Sequence, residues 1–164
     1  MIRSVAVFCG SRSGTDPAFA REAEALGRGL AEAGIELVYG GGKAGLMGVL
    51  ADAALAAGGT VHGVIPEFLM KWEVAHAGVE RMQVTDSMHS RKRTMFEMSD
   101  AFVVLPGGIG TFDEAIEMIS WRQLRLHTKP ILICDAGGWS APFMAMLRAA
   151  DTQGFIHGGV LGFV

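Results

Sequence analysis

Cysteine is nearly absent from this chain: Cys9 and Cys134 are the only two in 164 residues, which excludes a disulfide scaffold. Lysine is scarce as well, confined to Lys43, Lys71, Lys92 and Lys129. Fourteen Lys and Arg against seventeen Asp and Glu leave a net charge of -3. No global basic field exists to attract nucleic acid or an anionic membrane, so any anion site must be local. No apolar run reaches the length of a membrane span, and the N-terminus lacks a signal-peptide pattern. These absences point to a cytoplasmic protein with no membrane partner. His and Cys are never paired at ligand spacing, so no structural metal is expected.

What the chain has is apolar residues and glycine. Half the residues are apolar, 19% are charged, and 23 glycines are spread along the whole length. That fits one domain, taken as residues 1–164, with many tight turns. Apolar runs at 5–9, 35–39, 60–65, 101–105 and 131–134, with a weaker one at 82–84, read as strands. Helical patterns over 17–33, 45–57, 87–99, 111–126 and 140–152 alternate with them. Strands that are apolar throughout, each followed by a helix, predict an α/β fold: a Rossmann-like three-layer sandwich with a mainly parallel sheet and helices on both faces. Ligands in such folds bind beyond the C-terminal ends of the strands, after Cys9, Tyr39, Ile65 and Leu105. The irregular stretch 66–81 is the longest connection, a length that often serves function. The final apolar run after Gly158 reads as a strand with no following helix, as if a short C-terminal element were missing.

The densest motif is Leu105-Pro-Gly-Gly-Ile-Gly-Thr-Phe-Asp-Glu114, which joins a buried strand to a helix through glycines and ends on two carboxylates. Gly107, Gly108 and Gly110 lack a Cβ, so the backbone can turn with positive φ and approach a ligand, and the amides opening the helix favour a phosphate. The plainer alternative makes Thr111 an N-cap and Glu114 its capping-box partner.

Two earlier glycine segments compete for the same role. Cys9-Gly-Ser-Arg-Ser-Gly14 reads as a second anion cradle, through Gly10 and Ser11, or as an ordinary loop capped by Asp16 before Pro17. Composition favours the loop. In Tyr39-Gly-Gly-Gly-Lys-Ala-Gly-Leu-Met-Gly48, Gly40, Gly42 and Gly45 match the dinucleotide pattern G-x-G-x-x-G, with Glu67 where a ribose ligand would fall. That makes a nicotinamide or flavin enzyme a competing reading, although the pattern follows the second strand and not the first. We read the segment, including Gly41 and Gly42, as a turn allowing close approach to a ligand or a neighbouring strand.

In Met88-His-Ser-Arg-Lys-Arg-Thr-Met95, three successive cations open a helix, where they oppose its dipole and call for an anion. Arg91 offers a planar fork for phosphate or base, Arg93 reads as a surface residue, and His89 is of a residue type suited to proton transfer, although a lone histidine is more often structural.

Tyr39-Gly-Gly-Gly, Gly45-Leu-Met-Gly48, Val64-Ile-Pro66, Met88-His-x-Arg-Lys92 and Pro106-Gly-Gly-x-Gly-Thr-x-x-Glu114 together resemble the LONELY GUY family, cytokinin riboside 5′-monophosphate phosphoribohydrolases long mislabelled as lysine decarboxylases. The resemblance runs from about Val5 to Trp139. It implies a homodimer of Rossmann-like subunits that needs no cofactor and hydrolyses the N-glycosidic bond of a nucleoside 5′-monophosphate to free base and ribose 5-phosphate. Arg91 and Glu114 match the family's catalytic pair. Glu73, Lys92 and the turn Gly107, Gly108, Ile109, Gly110, Thr111, Phe112 and Asp113 match nucleotide-contacting positions. Asp113, Ser90 and Ile109 depart from the family pattern beside the expected cleft, and the Lys71-Trp72-Glu73-Val74 stretch departs from it in the expected base-side loop. The old decarboxylase label needs a Schiff-base lysine, and no lysine here has such a context. A nonenzymatic nucleotide carrier of the same fold is the remaining alternative.

Overall fold

The computed structural model describes residues 1–156 and 159–163, without the side chains of Glu73, Val160 and Phe163. Strands β1 (Ser4–Phe8), β2 (Glu36–Tyr39), β3 (Val61–Pro66), β4 (Arg81–Thr85), β5 (Ala101–Val104) and β6 (Ile131–Ile133) alternate with helices α1 (Pro17–Glu32), α2 (Gly45–Ala56), α3 (Met88–Met98), α4 (Ile109–Gln123) and α5 (Ser140–Thr152). Only β3 and β4 are joined without an α-helix between them; that connection holds a 3₁₀ turn, Glu67–Leu69, and a π turn, Met70–Val74. The expected irregular stretch is therefore partly wound.

Every ladder in the sheet is parallel, in the order β4-β3-β2-β1-β5-β6. Alternation along β1 divides the core. Val5, Val7 and Cys9 join Leu37 and Tyr39 beneath Ala23 and Leu30 of α1 and Leu46 and Leu50 of α2. Ala6 and Phe8 join Val38, Phe102 and Val104 beneath Met95, Met118 and Phe143 from α3, α4 and α5. A strand covered on both faces has no room for polar residues, which is why these strands read as unbroken apolar runs. The weak run at 82–84 proves to be a full edge strand whose Arg81, Gln83 and Val84 are exposed.

Asp16 caps α1, accepting from Ala18 N at 2.8 Å ahead of Pro17. Ser87 caps α3 in a reciprocal box: Ser87 Oγ accepts from Ser90 N and Ser90 Oγ from Ser87 N, each at 3.1 Å. The C-terminal run is not a strand: Val160–Phe163 forms a 3₁₀ turn. His157, Gly158 and Val164 of that run lie outside the described residues.

From β1 the chain steps outward through β2 and β3 to β4, then crosses back to place β5 on the other side of β1. The loops after β1 and β5 consequently leave the sheet in opposite directions, and a crevice opens between them.

Candidate active site

The crevice is a cleft of about 590 Å³, within the usual range for small-ligand sites. Its two walls are the loops after β1 and β5, and glycine permits their contact. Gly10 N donates to Pro106 O at 3.0 Å. A Cβ on Gly10 would stand 3.3 Å from Gly107 Cα, and one on Gly107 would stand 2.0 Å from Thr111 Oγ1. Trp139 Nε1 donates to Gly107 O at 3.1 Å, and the Trp139 ring stacks on Phe112 at 5.5 Å, fixing the loop.

The glycine loop differs from its expected form. None of Gly107, Gly108 and Gly110 has positive φ. Helix α4 starts at Ile109 with Gly108 as N-cap and no side-chain cap, so Thr111 is not the cap and Glu114 closes no capping box. Ile109, Gly110 and Thr111 are already helical, and the first intrahelical donor is Phe112 N, bonded to Gly108 O at 3.0 Å. The amides before it face the cleft and suit an anion. A Cβ on Gly108 or Gly110 would meet nothing within 4 Å, so the protein's own packing demands glycine at neither place.

Glu114 reaches the cleft from the second turn of α4 and Arg91 from α3; they are 8% and 4% exposed. Arg91 is pinned by two buried carbonyls, Nε donating to Val64 O at 3.0 Å and Nη2 to Gly40 O at 2.8 Å. Gly40 must be glycine to admit it, because a Cβ there would lie 2.1 Å from Nη2.

The dinucleotide pattern is thus explained by packing. Gly45 (φ +61°) passes the Ser11–Arg12 backbone, where a Cβ would lie 2.4 Å from Arg12 N. The amides that open α2 are already used, since Leu46 N donates to Gly10 O at 3.1 Å. A pyrophosphate finds no free helix terminus there.

Of the expected site residues, Arg91, Glu114, Gly10, Ser11 and Gly107 to Thr111 all line the cleft. Gly41 and Gly42 stand behind it: Gly41 O accepts from His76 N, and Gly42 bridges to Ala75. Phe112 is stacked between Trp139 and Phe143. Lys92 lies outside the lining and bridges α3 to α4, with Nζ 3.0 Å from Asp113 and 2.8 Å from Glu117. Burial opposes its charge, but the hydrogen bonds it donates to Glu117 and Asp113 outweigh that and hold the ammonium pKa above its ordinary value. Ser90 is spent in the α3 cap, and the Glu73 side chain lies outside the described residues. The cleft also gathers Met88, which opens the Arg91–Lys92 motif, and Leu69 and Trp139, which no motif singled out.

A family model described as possible lysine decarboxylase matches residues 47–163. The chain is 44% identical over 155 residues to a cytokinin riboside 5′-monophosphate phosphoribohydrolase of Rhodococcoides fascians, covering 94% of this chain and 78% of that protein. It is 45% identical over 152 residues to a probable cytokinin riboside 5′-monophosphate phosphoribohydrolase of Oryza sativa subsp. japonica, covering 93% and 68%. The chain belongs to the LONELY GUY (LOG) family. Among solved structures, the molybdenum cofactor binding protein of the phototrophic bacterium Rippkaea orientalis superposes with a TM-score of 0.70 at 20% identity, over 95% of this chain and 87% of that one. That likeness concerns the fold.

The lysines of this LOG-family chain do not fit the chemistry in the family model's description. Pyridoxal chemistry needs a lysine at the reacting centre. Lys43 and Lys71 are exposed, Lys92 is held between two carboxylates, and Lys129 donates to Phe96 O with its ammonium over the Phe96 ring. None of the four lines the cleft.

Proposed function

We propose that this chain hydrolyses the N-glycosidic bond of an adenosine 5′-monophosphate, N6-substituted or plain, to the free base and ribose 5-phosphate, acting as a homodimer in the cytoplasm. The observation that carries the reading is the meeting of Glu114 and Arg91, buried and supplied by two helices, in one cleft with the residues that open α4. The relatives named as phosphoribohydrolases, at 44% and 45% identity, favour hydrolysis over a carrier role, which has only fold likeness behind it. Exposed Ile116 and Leu124 on and just after α4 offer apolar surface for a second subunit.

The 5′-phosphate rests on the Gly108 to Thr111 amides, so that binding energy far from the scissile bond positions the sugar. Cleavage at the anomeric carbon builds oxocarbenium character on the ribose, and the Glu114 carboxylate stabilises that charge and orients or deprotonates the attacking water. The base leaves with added negative charge. A guanidinium holds its proton too tightly to be a good proton donor, so Arg91 works as a fixed electrostatic partner of the leaving group or the phosphate. Its two carbonyl contacts preorganise it, leaving no reorganisation to be completed during the reaction.

The test is chromatographic detection of base and ribose 5-phosphate from AMP and N6-isopentenyl-AMP, alongside their nucleosides. Glu114→Gln should abolish release while AMP still binds, and the nucleosides should react poorly. Unchanged turnover by the variant would remove Glu114 from the mechanism; binding without release by the wild-type chain would leave a carrier.

A further inference from the structure

Two cations line the cleft among the described residues, Arg91 and Arg12, and their circumstances are opposite. Arg91 is buried and tied to Val64 O and Gly40 O. Arg12, in the loop after β1, is exposed, and no described residue gives it a hydrogen bond or an ion-pair partner. Its backbone, by contrast, is closely held. A Cβ on Gly10 would lie 2.9 Å from Arg12 O, and one on Gly45 would lie 2.4 Å from Arg12 N. The segment is wedged between two glycines, while the side chain is free to turn.

Arg12 also borders a second cavity of about 550 Å³, formed with Ser11, Ala44, Phe68, Leu69 and Trp72. The side chain therefore stands on the wall shared by the two spaces and has room on either side. The cleft it faces holds the Glu114 carboxylate. A phosphate monoester entering beside that carboxylate meets repulsion, against which the helix amides and Arg91 act. A guanidinium able to follow the phosphate adds positive charge there with a bidentate fork.

We propose that Arg12 is the mobile counter-ion of this cleft, closing over the phosphate on the Gly108 to Thr111 amides and setting affinity for the monophosphate without taking part in bond cleavage. The inference rests on the nucleotide reading above.

Binding of AMP and of adenosine is measured by titration calorimetry for wild type, Arg12→Ala and Arg12→Lys, together with KM and kcat for AMP and the dependence of AMP affinity on sodium chloride. Arg12→Ala should weaken AMP binding and raise KM by about tenfold, as expected for one partly exposed charge-assisted contact. It should leave kcat within about twofold and adenosine binding unchanged, and flatten the salt dependence. Arg12→Lys should recover most of the affinity. Wild-type affinity for AMP in Arg12→Ala, an equal loss for AMP and adenosine, or a fall in kcat at constant KM would each overturn the proposal while leaving the hydrolase intact. A wild-type chain that binds no AMP would instead bring down the nucleotide reading, and this inference with it.

Discussion

Replacing Gly40 by alanine tests the active-site geometry without touching a charge. The added Cβ would lie 2.1 Å from Arg91 Nη2 and 2.9 Å from Met47 Sδ, so one of these side chains must move. Arg91 cannot yield cheaply, because Nη2 donates to Gly40 O at 2.8 Å and Nε to Val64 O at 3.0 Å with the side chain 4% exposed. Losing one hydrogen bond from a charged donor costs about 1.5–3 kcal/mol, and a displacement of about 1 Å in a positioning group costs about 100-fold in rate. For a chain of this size, about 2 kcal/mol corresponds to a fall of roughly 4–8 °C in melting temperature. Gly40→Ala should therefore fold, melt several degrees lower, and lose about 100-fold in kcat/KM for AMP. The assay is steady-state release of adenine, paired with a thermal melt. A variant with kcat/KM within about threefold of wild type would show that the position of Arg91 does not matter, and the argument for its preorganisation would fail.

Two further outcomes follow from the same structure. Gly110 lies in the first turn of α4 with nothing within 4 Å of a built Cβ, so Gly110→Ala should raise helix stability by up to about 1 kcal/mol and yet weaken AMP binding, because the new methyl occupies the phosphate's place. Melting and calorimetry separate the two effects, and unaltered AMP affinity would move the phosphate elsewhere. Hydrogen bonds from Ser90 and then Ser87 hold the Asp86 carboxyl below its ordinary value of 3.8. With a depressed folded pKa, its stabilisation of the α3 N-terminus is complete above that ordinary value and is lost as pH falls through the folded one. The gap in melting temperature between wild type and Ser90→Ala should therefore narrow below the ordinary carboxylate range; a constant gap would assign the loss to the cap alone.

Strands and helices were legible in the sequence because parallel strands buried on both faces leave an unbroken apolar signature, as at Val5 to Cys9 and Ala101 to Leu105. The edge strand β4 was faint for the converse reason, with Arg81, Gln83 and Val84 exposed. The start of α4 was misplaced because glycine is a poor helix former, so Ile109 and Gly110 read as turn. In the fold they are its first two helical residues, and the absence of side chains at Gly108 and Gly110 leaves the amides open.

The harder question was which glycine segment holds the anion, since three of them share one composition. Strand order separates them, and strand order is not a local property. β1 has β2 on one side and β5 on the other, so the loops after β1 and β5 diverge around a crevice while the loop after β2 faces its neighbours. Gly40, Gly42 and Gly45 therefore serve close packing: one admits Arg91, one bridges to Ala75, and one passes Arg12. The Gly10 carbonyl takes the amide of Leu46 that a nicotinamide cofactor's pyrophosphate would have used. The same contact holds the Arg12 loop against the cleft, so the interaction that occupies the start of α2 is also the one that sets Arg12 beside the proposed monophosphate site. If that coupling is correct, Gly45→Ala, which displaces the Arg12 backbone, should weaken AMP binding in wild type but add little to the loss already present in Arg12→Ala. Additive losses in that double-mutant cycle would show that Gly45 acts on the cleft by another route.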